Sequence, residues 1–248
     1  MIEIFDPWKQ IRTECFGNVE PTVQLQAVTT HAVITGQRMT KGITPDSTEM
    51  IPAISAGISY GKENNTLSFL ELKRLNKKLV KLNHLTPLES IQFNFFVSGI
   101  SKACGAQLSR HRIGQGHVSL SRRYTKQKPE FVYPMMSYLS DEKIVRGVYH
   151  DMSKCLGSSF QYYYLGLLES GVKKADARYL IPVATATARH WWVNARALRD
   201  FFRLRLHLNA EAEIRRLAAM IYNMVVIITP SLFEDLERNE HEYDNQVA

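Results

Sequence analysis

The chain is expected to fold as an α+β domain, and three observations point there. Runs rich in β-branched and aromatic residues fill the first part of the sequence. Helical periodicities dominate the second, and Gly and Pro stand between the runs. Residues 22–35, with four threonines and three valines, read as strand. Residues 36–53 hold Gly36, Gly42, Pro45 and Pro52 and read as loop. From about residue 67 to 82, Phe69, Leu72, Leu75, Leu79 and Leu82 recur at helical spacing, with Lys73, Lys77, Lys78 and Lys81 on the outer face. Residues 91–100 read as a strand buried mostly on one face.

A long amphipathic helix is expected over residues 141–169, stopped at Gly171. A short helical segment over 172–180 precedes Pro182, a helix runs over 184–206, and another over 210–228 is stopped by Pro230. In the helix over 184–206, Asn194 and Arg205 return to nearly the same face at about 100° per residue. Arg196 and Asp200 are spaced for an ion pair. Trp191 and Trp192 read as core, Met135 and Met136 as packing, and His117 as a loop histidine without a catalytic task.

Charge is distributed unevenly. No acidic residue lies between Glu89 and Glu130, a window that holds seven basic ones: Lys102, Arg110, Arg112, Arg122, Arg123, Lys126 and Lys128. The formal net charge of the whole chain is +7, so the excess sits in this window. Interleaved with Gly, Ser and His, that field suits a multiply charged anion such as a nucleotide phosphate. It is too local for a duplex-binding stripe, and no nucleic-acid module is present.

Three separated cysteines, Cys15, Cys104 and Cys155, indicate neither a disulfide framework nor a zinc site, and no metal is expected. Cys104 reads as a small buried thiol. No secretion signal opens the chain, and no run of about 18 apolar residues occurs, so a cytoplasmic protein without membrane contact is expected.

The motifs of the basic window carry a resemblance. Arg110-His111-Arg112, then Ser121 with Arg123-Tyr124, resembles the signature of the flavin-dependent thymidylate synthases. Ala56-Gly57-Ile58-Ser59-Tyr60, His84-Leu85-Thr86-Pro87-Leu88-Glu89, Gln107, Asn194-Ala195-Arg196-Ala197-Leu198, Leu204-Arg205 and residues 210–215 are similar to further elements of that family, in its order. The matches span about residues 56–215.

The resemblance implies a single domain over 1–248, with residues 1–50 as an N-terminal extension and 229–248 as a C-terminal tail. It implies a mixed or antiparallel sheet packed with long helices, in a homotetramer. The implied reaction is reductive methylation of dUMP at C5 to dTMP, with FAD as cofactor and NADPH and methylenetetrahydrofolate as co-substrates.

Arg205, His84 and Ser121 would stand at the reacting centre, with Arg205 facing the uracil. Ser121 would act as a hydrogen-bonding group, since no His or Asp is spaced to activate it. Gln107, Arg110, Ser119, Ser121, Arg122, Arg123, Arg178 and Arg205 would bind the nucleotide. Thr86, Arg110, His111, Arg112, Ile113, Asn194, Arg196 and Asp200 would hold FAD.

The chain departs from the family at Gly116, Val118 and Ser119, where polar residues are usual, at Asp200 in place of an asparagine, and at Ser90 in place of a histidine. These departures leave UMP open as a substrate beside dUMP, and hydroxymethylation beside methylation. The non-enzyme alternative is a nucleotide- or nucleic-acid-binding protein that lost flavin chemistry.

Overall fold

A computed structural model describes residues 21–28, 34–35, 38–39, 45–61, 67–128, 130–132, 147–148, 151, 155, 157 and 159–236. Contacts divide the chain into two compact units, one of Met1–Glu20 with Ser121–Ala186 and one of Pro21–Leu120 with Thr187–Ala248. The architecture is α+β.

The second unit is built on a four-stranded sheet in the order β1 (Thr22–Val28), β4 (Gln92–Ser101), β6 (Ala186–Asn194), β5 (Gln115–Ser119). The β1–β4 and β5–β6 pairs are antiparallel, with Thr22 opposite Ser98 and Ser119 opposite Arg189. The strand expected over residues 22–35 ends at Val28. Ile34–Thr35 (β2) instead pairs with Arg38–Met39 (β3) as a separate two-stranded ribbon.

Two expectations are corrected. Residues 45–53 were expected in a loop and instead begin helix α1, Pro45–Ser59. Pro45 occupies the first helical position, where its missing N–H costs nothing. Pro52 lies inside, and buried Ala53 and Ala56 hold the helix through it. Tertiary burial thus overrides Pro52.

The second correction is larger. Residues 186–194, expected as helix, form β6. Thr187, Arg189, Trp191 and Val193 are buried in strict alternation, and this period of two is the strand's signature. Strands therefore do not keep to the first half of the chain.

The other helices of this unit follow their sequence signals. Helix α2, Phe69–Lys81, opens on a capping box in which Glu71 accepts from Ser68 N at 2.8 Å. Its lysine face is largely exposed, although Lys73 reaches Glu49 at 3.1 Å and Lys77 reaches Glu234 at 2.6 Å. A 3-10 turn, Thr86–Ser90, leads into β4, and α3, Lys102–Leu108, follows it.

Phe93, Phe95 and Val97 of β4 pack with Trp191 and with two helices, Ala195–Arg205 and Ala212–Ile228. A last short helix, Pro230–Phe233, adds Leu232 and Phe233 to that core, so the expected tail begins as packed structure. Pro230 starts this helix as well as closing the one before it.

The first unit has its own small core of Phe131, Phe160, Tyr164, Ala177 and Ile181. Thirteen of the 29 residues of the helix expected over 141–169 lie outside the described residues, as do Met135, Met136 and Cys15. Its described end runs as a π-helical stretch, Phe160–Leu165, into α4, Gly166–Glu169, and turns at Gly171 with φ +86°. The segment expected over 172–180 appears as α5, Lys174–Ala177, and a 3-10 turn, Arg178–Leu180. In chain order Ala195–Arg205 is α6, Ala212–Ile228 is α7 and Pro230–Phe233 is α8.

Candidate functional site

The loop between α3 and β5 carries Arg110, His111, Arg112 and Ile113, and it is fastened to α6 at two points. Near the C-terminal end of the helix, Arg205 Nε donates to His111 Nε2 at 3.0 Å. At its N-terminal end, Asn194 N donates to Gly114 O at 2.8 Å. Asn194 is the N-cap of α6, and its Oδ1 accepts from Ala197 N at 2.8 Å. The expectation of a mid-helix Asn194 is therefore corrected, because β6 gives way to α6 at this residue.

Gly114 explains why the loop comes so close. Its φ is +69°, and a β-carbon there would meet the Asn194 side-chain amide. Ile113 beside it is an apolar side chain left 90% exposed.

His111 packs edge-on against Phe201, ring centroids 5.1 Å apart. Burial, and then the Arg205 charge, hold its pKa below the ordinary histidine value, against a smaller upward pull from Asp200. The imidazole is therefore neutral at neutral pH. Arginine has no acceptor, so His111 Nε2 must accept and the ring proton sits on Nδ1. Neither Nη group of Arg205 has a partner among the described residues. Arg110 and Arg112 are exposed and make no ion pair among the described residues.

A third fastening joins the turn after α2. Arg196 Nη1 donates to Glu89 Oε1 at 2.6 Å. The ion pair expected between Arg196 and Asp200 is thus corrected. Asp200 faces Arg203 at 3.6 Å, and the 3-10 turn supplies Glu89 to Arg196 in its place. His84 and Thr86, at the start of this turn, are exposed. Gln107 on α3 has a buried Oε1 without a hydrogen-bond partner, an acceptor left for a donor from outside.

Arg189 escaped the sequence reading. It is 5% exposed, and its Nη1 donates to Ser109 Oγ at 2.9 Å. Ser109 in turn meets His117 Nε2 at 3.3 Å, which places His117 on β5 rather than in a loop. Burial, then Arg189, keep the His117 pKa low. Ser119 closes the strand opposite Arg189. The alternation in β6 was the signal that places Arg189 inward.

The comparisons with known proteins accord with this arrangement. Residues 43–231 match the family described as thymidylate synthase complementing protein. The flavin-dependent thymidylate synthase of Geobacter sulfurreducens is 30% identical over 197 residues, 77% of this chain and 83% of that protein. That of Thermotoga neapolitana is 35% identical over 150 residues, 60% of this chain and 68% of that protein. The chain belongs to the flavin-dependent thymidylate synthase family. It is an enzyme of that family by these matches, and a methyltransferase of nucleotide metabolism.

Among solved structures, a UMP/dUMP methylase PolB from Streptomyces cacaoi, bound with 5-Br dUMP, superposes with a TM-score of 0.72. The two are 20% identical, and the match covers 88% of this chain and 94% of that one. At that identity the likeness shows the fold.

The remaining family positions lie in the first unit. Ser121 Oγ accepts from Arg123 N at 3.3 Å, and its carbonyl accepts from Thr125 Oγ1 at 2.6 Å. This is turn chemistry. Arg122 donates from Nη2 to Thr185 O at 3.3 Å, and burial lowers its pKa. Its Nε is buried without a partner.

Arg123 is exposed and lines an open groove with Tyr124, Lys126, Lys173 and Lys174. Arg178 is exposed too, its guanidinium 5.9 Å from the Tyr179 ring. No group of acidic, His and Cys side chains suited to a metal occurs among the described residues, and none of their helices is long and apolar enough to cross a membrane.

Proposed function

We propose that this chain catalyses FAD-dependent reductive methylation of dUMP at C5 to give dTMP, with methylenetetrahydrofolate as carbon donor and NADPH as reductant. Arg205 is the observation that carries the reading. Its Nε is held by a neutral acceptor, its Nη pair is unpartnered among the described residues, and no carboxylate engages it there. A guanidinium held this way presents a planar pair of donors, which suits a carbonyl oxygen beside N3 of a uracil. Polarising that edge toward negative charge is what makes C5 nucleophilic, and a fixed cation stabilises that charge without reorganisation.

The residues present fit FAD. Exposed Arg110 and Arg112, unpaired among the described residues, suit a pyrophosphate. Gly114 lets the loop backbone lie against Asn194, and Thr86, Ile113 and Arg196 stand on segments fastened to the same helix. Asp200, half neutralised by Arg203, adds a carboxylate acceptor. When bound, FAD supplies the redox capacity the methylation needs.

Gln107 offers its orphaned Oε1 to a nucleotide donor, and His84, which is exposed, is proposed at the reacting centre from family position. From family position we propose Ser119 as a nucleotide contact and, likewise, Ser121, Arg122, Arg123 and Arg178 of the first unit, with the two exposed arginines as phosphate holders. Sites of this family are assembled in a homotetramer, which we propose here as well, in the cytoplasm.

The test is an assay of dUMP and UMP side by side with FAD, NADPH and methylenetetrahydrofolate. UMP stands beside dUMP because the chain departs from the family at Gly116, Val118 and Ser119, and Ser119 is shorter than the usual carboxylate or amide. Product mass separates methyl from hydroxymethyl. A protein that stays colourless with added FAD and converts neither nucleotide ends the proposal and favours the binding protein.

A further inference from the structure

We propose that His111 is a positioning residue for Arg205: its Nε2 takes up the Arg205 Nε–H and so fixes the plane in which the two Nη groups meet the pyrimidine. The inference rests on the reading of Arg205 given above, and it assigns His111 a task other than holding FAD.

Geometry carries it. Arg205 closes α6, in the last turn of the helix, where long side chains ordinarily sample several rotamers. One hydrogen bond at 3.0 Å to a ring that is itself seated edge-on against Phe201 removes that freedom. Phe201 is fully buried and cannot shift without disturbing Trp191, 5.3 Å away. The chain of contacts from the sheet to the guanidinium is thus Trp191, Phe201, His111, Arg205. Engaging Nε, and not an Nη, matters because only this choice leaves the parallel Nη pair for a planar substrate edge.

The hydrogen bond also has a required protonation state. A protonated His111 has a hydrogen on both ring nitrogens and points a donor at a donor. The charged groups bearing on His111 are Arg205 and Asp200, both from α6, and the first outweighs the second. Arg110 and Arg112 flank it in the loop and are exposed. Burial and Arg205 both disfavour the second proton, so the acceptor persists to a pH below the ordinary histidine value and is lost as pH falls further.

The experiment compares the full-length protein with His111→Gln and His111→Phe. Glutamine keeps an acceptor, and phenylalanine keeps the edge contact with Phe201 but has none. Two quantities are read, dUMP and UMP affinity by calorimetry as a function of pH, and the tautomer of His111 from its ring 15N shifts. We expect a neutral ring protonated on Nδ1. At pH 8, His111→Phe should weaken nucleotide binding roughly tenfold or more, the loss expected for one charge-assisted hydrogen bond.

His111→Gln should stay within about threefold of the natural protein and lose its acid limb. A proton on Nε2, or His111→Phe binding nucleotide as tightly as the natural protein at every pH, overturns the positioning role and leaves the functional reading standing. Should the natural protein bind neither nucleotide, the functional reading fails and the inference falls with it. Should His111→Phe fail to fold, the tautomer and the His111→Gln pH profile still decide.

Discussion

Gly114 lies under the side-chain amide of Asn194, and a β-carbon built on it would sit 2.9 Å from Asn194 Cγ. Its φ of +69° adds a second obstacle to any L side chain. Gly114→Ala therefore meets strain and a clash with the cap of α6 together. The expected cost is about 1–3 kcal/mol in urea unfolding. Flavin retention should fall as well, because relief of the clash moves the loop that carries Arg112 and Ile113. An alanine variant with unchanged stability and colour would show that the loop does not need this close approach.

Arg196 and Glu89 are held at 2.6 Å, yet both side chains are 45% exposed. A pair in that setting is screened by solvent and contributes little. Glu89→Gln should lower stability by less than about 1 kcal/mol. Its effect on flavin binding should be larger in proportion, since the bond fastens the turn carrying Thr86 to α6. A stability loss above about 2 kcal/mol would mean that the pair supports the fold itself.

Arg199 has a fully buried side chain that donates through Nη1 and Nη2 to Asp235 at 2.7 and 2.6 Å, and also to the Leu232 carbonyl. Asp235 is 43% exposed. The two partners are therefore not equivalent. Removing the carboxylate strands a buried cation, whereas removing the cation leaves a carboxylate that water can reach. Asp235→Ala should cost about 3 kcal/mol or more, and Arg199→Met distinctly less. The reverse order in thermal or urea unfolding would refute the argument.

The motif residues were legible in the sequence because each element pairs a fixed residue type with a fixed local backbone. His111, Asn194, Arg196 and Arg205 do come to one helix, as their motifs imply. Their partners were not legible. Arg196 chose Glu89 over Asp200 because tertiary packing delivered the 3-10 turn to it, which no helical spacing reveals. The misread stretch over 186–194 has a physical cause as well. Ala and Arg favour helix and border Ala195, where a true helix starts, so the short alternation Thr187, Arg189, Trp191, Val193 was absorbed into the neighbouring pattern. Arg189 was lost with it, since a buried arginine is visible only once the strand's inner face is known.

Cys104 and Cys155 should separate cleanly by reactivity. Burial, the nearby Glu213 and a smaller contribution from Glu211 hold the Cys104 thiol far above its ordinary pKa, against weaker opposing pulls from Arg189 and Arg205. The thiolate is the reactive species, so Cys104 is inert at neutral pH. Cys155 is exposed. In the folded protein a thiol reagent should modify Cys155 in minutes and reach Cys104 only on unfolding. Peptide mapping after brief labelling checks this, and early modification of Cys104 would contradict its placement.

Glu213 should make stability depend on pH with an unusual sign. Its carboxylate accepts from Ser101 N and Ser101 Oγ, both at 2.6 Å, and so supports the residue that caps α3. Burial nevertheless outweighs these bonds, and its pKa stands above the ordinary glutamate value of 4.5. Between that value and the higher folded one, the native state binds the proton that the unfolded chain has released. Stability from this group is therefore complete below the ordinary glutamate value and declines as pH rises through the folded pKa. His111 acts oppositely, because its folded pKa is depressed, so the natural protein alone cannot isolate either group. The difference between the natural protein and Glu213→Gln removes the histidine contribution. Glutamine keeps one acceptor for Ser101 and turns its amide toward the other donor, a penalty that does not vary with pH. The difference in unfolding free energy should favour the natural protein most at acid pH and shrink toward neutrality. A difference that is flat, or that grows with pH, would mean that Glu213 is ionised in the fold throughout.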